Sequence, residues 1–302
     1  MATATATETG THLLELDDVG KSYGNVHALR GVNIHVSPGE VTCVLGDNGA
    51  GKSTLIKIIA GLHQHTEGVV RMDGEEIRFN SPREAQAKGI ATVYQDLALA
   101  PLMSVWRNFF LGNEVKKGFG LDIDHMKQVA GEELQKMGIV IPDLDRPVGA
   151  LSGGQRQCIA IARAIYFGAR VVILDEPTAA LGVKQSGVVL KYVTKMRDSG
   201  LGVIFITHNP HHAYMVGNHF VILKLGRLVL DAHRDEITLD QLTAEMAGGQ
   251  ELAALSHELR ASETDGSADA AAADAVEDEL EGALGIQVSD TTTEVRPDPL
   301  EK

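Results

Sequence analysis

A run of nine residues, Gly46, Asp47, Asn48, Gly49, Ala50, Gly51, Lys52, Ser53 and Thr54, carries the plainest chemistry in the chain. It fits G-x-x-x-x-G-K-[ST], a loop that cradles polyphosphate. Glycines let the backbone wrap tightly and turn its N–H groups toward phosphate oxygens. Lys52 supplies a point charge for the terminal phosphates, and Ser53 offers a hydroxyl to Mg²⁺. The flanks agree with this reading. Residues 40–45 (E-V-T-C-V-L) read as a short buried strand, and residues 54–60 as a helix stopped by Gly61. A helix N-terminus facing phosphate is a favourable anion site.

A second group of chemically capable residues lies downstream. Residues 171–174 (V-V-I-L) read as a buried parallel strand with Asp175 and Glu176 at its C-terminal end, where open α/β sheets bind ligands. One carboxylate can hold Mg²⁺ and the other can handle a water. Ser152, Gly153, Gly154 and Gln155 open a helix that runs to about Phe167, and two glycines there expose N–H groups at a positive dipole end. Residues 202–207 form another buried strand that ends on His208, with His211 and His212 close behind. No cysteine or carboxylate sits at ligand spacing near these three histidines, so they are not read as a metal site. Tyr23, an aromatic expected in a turn between two strands, either packs or stacks on a base. Gln95 ends a strand over residues 90–94.

The elements that must position these groups follow from periodicity. Residues 13–36 suggest two strands, and Val32, Ile34 and Val36 alternate with Asn33 and His35, so one face is buried. Residues 69–74 enter a hairpin at Asp73-Gly74. Ser81-Pro82-Arg83-Glu84 is a capping box with proline at the first helical position, and its helix ends at Gly89. Residues 96–150 read as a helical insertion without strands. Ser104 caps a short helix there that carries Trp106, Phe109 and Phe110, either as core or as a docking surface. Later elements are a helix near 124–137, a long helix over 184–198, a hairpin over 220–231 and a helix near 239–246.

Net charge is −14 over 302 residues, and residues 251–302 hold 14 acidic against 3 basic side chains. The remainder is nearly neutral, which argues against a nucleic-acid surface. No apolar run approaches the length needed to cross a bilayer. Residues 1–7 lack both a basic residue and an apolar core, so they do not read as a secretory signal. Residues 1–11 read as a disordered end and 251–302 as an acidic, disordered tail, leaving 12–250 as the folded domain. Cys43 and Cys158 read as reduced thiols of a cytosolic protein.

Taken in order across residues 12–248, these motifs resemble the nucleotide-binding subunit of an ATP-binding cassette (ABC) transporter. The resemblance implies an α/β fold: a P-loop NTPase core, an antiparallel β subdomain and a helical subdomain over about 96–168. It implies that Tyr23 stacks on adenine, residues 46–54 form the Walker A loop, and Gln95 senses Mg²⁺ and the membrane partner. It makes Ser152, Gly153, Gly154 and Gln155 the signature that acts on a second copy of the chain. Asp175 becomes the Mg²⁺ carboxylate, Glu176 the base, and His208 the residue that reads the γ-phosphate. ATP and Mg²⁺ are the implied substrate and cofactor.

The stretches 94–99 and 107–112 resemble the branch that imports monosaccharides. That implies separate permease subunits at the cytoplasmic side of the membrane and, indirectly, an extracytoplasmic sugar-binding protein. A single cassette implies a homodimer. Gly182 departs from the family, which usually has Asp there. The alternatives are a cassette for another solute and a soluble, non-transport cassette.

Overall fold

The computed structural model describes residues 12–248. The chain divides into one unit up to Thr238 and another from Leu239. Within the second unit, the described element is a helix, Leu239–Met246, whose Thr243 hydroxyl donates to the Leu239 carbonyl. The expected tail beyond it, and the expected loose N-terminus, lie outside the described residues.

The first unit opens with β1 (Leu14–Tyr23) and β2 (Val26–Val36), which pair antiparallel. Alternation puts Leu14, Leu16, Val32, Ile34 and Val36 in the core, as side chains on one face of a pleated strand must be. Two details differ from the sequence reading. β1 runs through Tyr23, so the tyrosine closes a strand and does not sit in the turn. His35, placed on the outer face, is half-buried because a second sheet covers it.

β3 (Val41–Leu45) is wholly buried and leads through the glycine-rich loop into α1 (Lys52–Ile59). β4 (Glu67–Met72) and β5 (Glu75–Ile77) turn at Asp73-Gly74, both at positive φ, the conformation a tight hairpin requires. They complete a four-stranded antiparallel sheet in the order β2-β1-β4-β5. In α2 (Pro82–Ala87), Ser81 accepts from the Glu84 N–H at 3.4 Å, the expected half of a capping box. The other half is displaced: the Glu84 carboxylate accepts from the Asn80 N–H at 2.9 Å. β6 (Ile90–Val93) follows.

The next segment is helical, with one exception. α3 (Val105–Phe110) is followed by a minimal hairpin, β7 (Lys116–Lys117) and β8 (Gly120–Leu121), where no strand was expected. α4 (Ile123–Lys136), a 3₁₀ turn at Val148–Ala150 and α5 (Gly153–Tyr166) complete it. Ser104 stands at the N-cap position of α3 but its hydroxyl caps nothing and is buried without a partner among the described residues. Asn108 organises this corner instead. Its amide donates to the carbonyls of Ala100, Met103 and Ser104, and its oxygen accepts from the Ala100 N–H.

Trp106, Phe109 and Phe110 are buried, together with Met126, Leu134, Val148 and Ile159, in a second apolar cluster distinct from that beneath the sheets. Trp106 keeps its indole N–H satisfied on Asp145 at 2.9 Å. The aromatic cluster is therefore core within this chain.

β9 (Val171–Asp175), α6 (Val183–Asp198), β10 (Gly202–Thr207), α7 (Pro210–Val216), β11 (His219–Lys224) and β12 (Arg227–His233) finish the unit. The second large sheet runs β12-β11-β3-β10-β9-β6, parallel throughout except for the antiparallel edge β12. Its inner strands are continuous apolar runs because both faces are covered. Cys43 and Cys158 are buried free thiols, and burial pushes the Cys158 thiol up to about 12.

Two substitutions test this packing. Phe109 is fully buried, with the Phe110, Tyr166 and Phe167 rings centred 5.2, 5.6 and 6.3 Å away. Phe109→Ala should cost about 3–5 kcal/mol in urea unfolding of the isolated chain; a loss under about 1 kcal/mol would return the ring to the surface. Gly182 is the N-cap of α6 at φ −69, with no side-chain cap and nothing within 4 Å of an added Cβ. Gly182→Asp should therefore stabilise by about 0.5 kcal/mol, read as a small rise in Tm that high salt reduces.

Candidate functional site

Parallel strands bring the separated motifs to one edge. β3, β10 and β9 are neighbours, with Leu45 opposite Thr207 and Asp175 opposite Ile206. Their C-terminal ends therefore carry the phosphate loop, Thr207-His208 and Asp175-Glu176 side by side. β6 lies beyond β9, which places Gln95 past its end and exposed.

The loop adopts a conformation that only glycine tolerates at its two ends. Gly46 has φ 141, and an added Cβ would lie 2.3 Å from the Leu223 carbonyl oxygen. Gly51 has φ 109, and its Cβ would lie 2.8 Å from the Leu29 side chain. Between them Asp47, Asn48 and Gly49 are exposed and Ala50 is buried. Lys52 and Ser53 occupy the first turn of α1, followed by half-buried Thr54. The Lys52 ammonium folds over the loop and donates to the carbonyls of Gly46 and, at 3.0 Å, Asp47. Neither bond involves an acid.

Asp175 is half-buried, and burial followed by the neighbouring Glu176 carboxylate raises its pKa, with Lys52 opposing. Glu176 sits in left-handed backbone at φ 47, a strained position for a non-glycine residue. Its N–H is anchored to the Ile206 carbonyl at 3.0 Å. Its carboxylate lies 2.9 Å from His208 Nδ1 and accepts from the Thr207 hydroxyl at 3.4 Å. Glu176 is 12% exposed and His208 58%, so an acid held from below meets a histidine open to ligand.

Sequence reasoning missed Thr207 as a partner of Glu176. It also missed Thr178, whose hydroxyl lies 2.9 Å from His212 Nδ1 and ties the turn after Glu176 to α7. His208 and His212 thus have separate partners.

Mg²⁺ fits the donor set. Ser53 and Asp175 are hard oxygen donors of the kind Mg²⁺ takes. Burial first, then the Glu176 carboxylate, raises the Asp175 pKa, and a divalent cation there would favour its ionised form.

Two expected site elements stand apart. Tyr23 is 42% exposed, edge-on to His63, with the Lys21 ammonium 5.0 Å above its ring. Ser152 caps α5: its hydroxyl accepts from the Gln155 N–H at 3.3 Å, and the Gln155 side chain accepts from the Ser152 N–H at 3.0 Å. Gly153 and Gly154 press on the start of α6, where an added Cβ would come within 2.8 Å of Leu181 and 3.3 Å of Gln185 respectively. Among the described residues no hydrogen bond or ion pair joins this group to the phosphate loop.

Between α5 and β6 runs a groove of about 260 Å³, lined by Tyr94, Leu97, Ala98, Arg163, Ala164 and Phe167 among others. No described helix is long and apolar enough to cross a membrane.

Comparison with known proteins agrees with this geometry. The family model for ABC transporters matches residues 29–179. A xylose/arabinose import ATP-binding protein of Sulfolobus acidocaldarius is 44% identical over 234 residues, 78% of this chain and 93% of that protein. A fructose import ATP-binding protein of Rhizobium meliloti is also 44% identical, over 76% of this chain and 92% of its own length. A ribose import ATP-binding protein of Bacillus subtilis is 35% identical, but the chain spans only 48% of it. Among solved structures, an ADP-bound ATP-binding cassette of an ABC transporter superposes with a TM-score of 0.67 at 25% identity, covering 77% of this chain and 94% of that one. A dimeric bacterial ABC transporter cassette gives 0.62 at 27% identity, covering 73% and 98%. With the phosphate loop, the paired carboxylates and the histidine on one sheet edge, the chain belongs to the ABC transporter family, as one of its ATP-hydrolysing cassettes.

Proposed function

We propose that this cassette hydrolyses ATP as a homodimer to power sugar uptake through separate permease subunits. Hydrolysis is carried by one observation: Glu176, fixed by Ile206 and Thr207, meets His208 beside the Lys52 loop. Sugar as cargo rests on the relatives, whose names specify xylose/arabinose, fructose and ribose import. The first two match a single cassette almost end to end, which favours pairing of two identical chains.

Lys52 and the loop N–H groups hold the β- and γ-phosphates, and α1 points its positive end at them. Ser53, Asp175 and Gln95 would hold Mg²⁺, and the ion would neutralise charge on the phosphates. Glu176 orients a water and takes its proton while the oxygen attacks the γ-phosphorus. His208 donates to the transferring group, and ADP leaves. Because the chemistry needs positioning and charge neutralisation, fixed donors accomplish most of it. Tyr23 offers its exposed ring to adenine. The permease's cytoplasmic segment seats in the groove between α5 and β6, whose lining residues Tyr94 and Leu97 flank Gln95 along the chain.

Ser152–Gln155 completes the other chain's site. Its hydroxyl is already spent on capping, so the helix N-terminus and the N–H groups of Gly153 and Gly154 supply the recognition.

Two experiments test this reading. Glu176→Gln should bind ATP within a few-fold of the parent but lose turnover by about 10²–10⁴-fold, since an amide takes no proton. Near-normal hydrolysis would remove Glu176 from the role of base. For the composite site, Lys52→Ala and Gly154→Asp should each be inactive as homodimers, with melting curves confirming that both fold. Mixing them makes about half the dimers hybrid, each with one intact site, so ATPase should return to at most about a quarter of the parent. Hybrids that form but restore neither turnover nor one-site ATP binding would overturn the head-to-tail arrangement.

A further inference from the structure

Far from the nucleotide edge, the opposite end of the same sheet gathers three histidines. His35 lies near the end of β2, His219 opens β11 and His233 closes β12 directly opposite it. Glu40 immediately precedes β3, whose other end carries the phosphate loop about 16 Å away at the usual strand rise. The His35 and His219 rings are centred 4.6 Å apart, and those of His219 and His233 4.7 Å apart. One ring nitrogen from each of the three lies within 4.8 Å of the others.

The protonation pattern makes the cluster more than a stack. His219 is completely buried, and its Nε2 contacts the Asp231 carboxylate. That hydrogen bond holds the Asp231 carboxyl below its usual range, so it is ionised and can only accept. With Nε2 committed to Asp231, Nδ1 is the ring nitrogen left to meet a ligand. A carboxylate that fixes the tautomer of a buried histidine is the arrangement that prepares imidazole for a metal ion.

His219 Nδ1 has no hydrogen-bond partner among the described residues. The Glu40 carboxylate faces it at 4.0 Å and also lies 4.0 Å from His233 Nδ1. A cation seated between them would give this unpartnered nitrogen and the Glu40 carboxylate a common partner.

We propose that His35, His219, His233 and Glu40 form a site for one divalent transition-metal ion of the zinc class, cross-linking β2 to β11, β12 and the lead into β3. Three imidazoles and a carboxylate are borderline donors suited to zinc or cobalt. Tetrahedral ligands at zinc distances lie about 3.4 Å apart, so Glu40 would close by about 0.6 Å on His219 and His233 and the imidazole nitrogens by up to about 1.4 Å, with the stacked rings turning to aim them. Half-exposed His233 and the Glu40 carboxylate, whose other oxygen accepts from the Ser37 N–H at 3.3 Å, supply part of that movement. Because β2 belongs to the antiparallel sheet and the others to the parallel sheet, the ion would clamp the two together.

The test uses the full chain without a histidine tag, stripped with EDTA and free of nucleotide. Titration with Co²⁺ should give a visible tetrahedral spectrum that saturates at one ion per chain and is displaced by Zn²⁺. Zn²⁺ should also raise the Tm. His233→Ala and Glu40→Gln should weaken binding at least tenfold, and Asp231→Asn should weaken it about 10–100-fold through loss of the tautomer. His233 is exposed enough for its variant to fold, which avoids the buried His219. Asp175→Asn, at the other end of the sheet, should leave the spectrum unchanged. The proposal is overturned by the absence of a saturating spectrum, by a spectrum that survives His233→Ala, or by one that follows Asp175. Stoichiometric binding without a rise in Tm would overturn the clamp.

Discussion

Backbone N–H groups can converge on a polyphosphate only where no side chain intrudes, and the parallel sheet is arranged around that requirement. Gly46 lets the loop leave β3 against the Leu223 carbonyl, and Gly51 lets it enter α1 against Leu29. The loop is then tied outward: the Ala50 carbonyl accepts from the Gly226 N–H at 2.9 Å, and the Gly226 carbonyl from the Arg30 N–H at 2.8 Å. The turn between β11 and β12 thus joins the loop to β2. Once β3 is fixed in this way, its neighbour β10 delivers His208 and the next strand, β9, delivers Asp175 and Glu176. A shift of one residue in either pairing would exchange inward and outward side chains and separate Glu176 from the loop.

Those groups were legible because each is announced locally. The glycine spacing specifies a loop, and a buried apolar run ending in two acids specifies a strand end. The capping box at Ser152 and Gln155 was equally local and formed as a reciprocal pair. Ser104 shows the limit of the same rule. It occupies the right position, yet Asn108 has taken the carbonyls around it, and the hydroxyl is left buried. A cap motif states what a side chain can do, while packing decides whether it does.

The aromatic helix was ambiguous for a different reason. Trp106, Phe109 and Phe110 have the composition of an interface and of a core, and only the positions of α4 and α5 distinguish the two. The minimal hairpin at Lys116–Leu121 is two residues per strand, too short for any periodicity to register. The histidine cluster was invisible in principle. His35 alternates as an outward residue of a two-sided strand, and only the arrival of β11 and β12 over that face makes it half-buried.

The two ends of the parallel sheet use opposite electrostatic arrangements. At the C-terminal edge, Asp175 and Glu176 repel each other across a half-buried space, and the fold holds Glu176 in place: the Ile206 carbonyl accepts from its N–H, and Thr207 and His208 meet its carboxylate. That end is left short of positive charge until a substrate and its cation arrive, which is why it can respond to them. At the N-terminal edge, Asp231 orients His219 from one side while Glu40 faces it from the other. β3, buried along its whole length, separates the two groups, so the fold keeps an edge short of positive charge and an edge rich in imidazole on one strand without letting them meet.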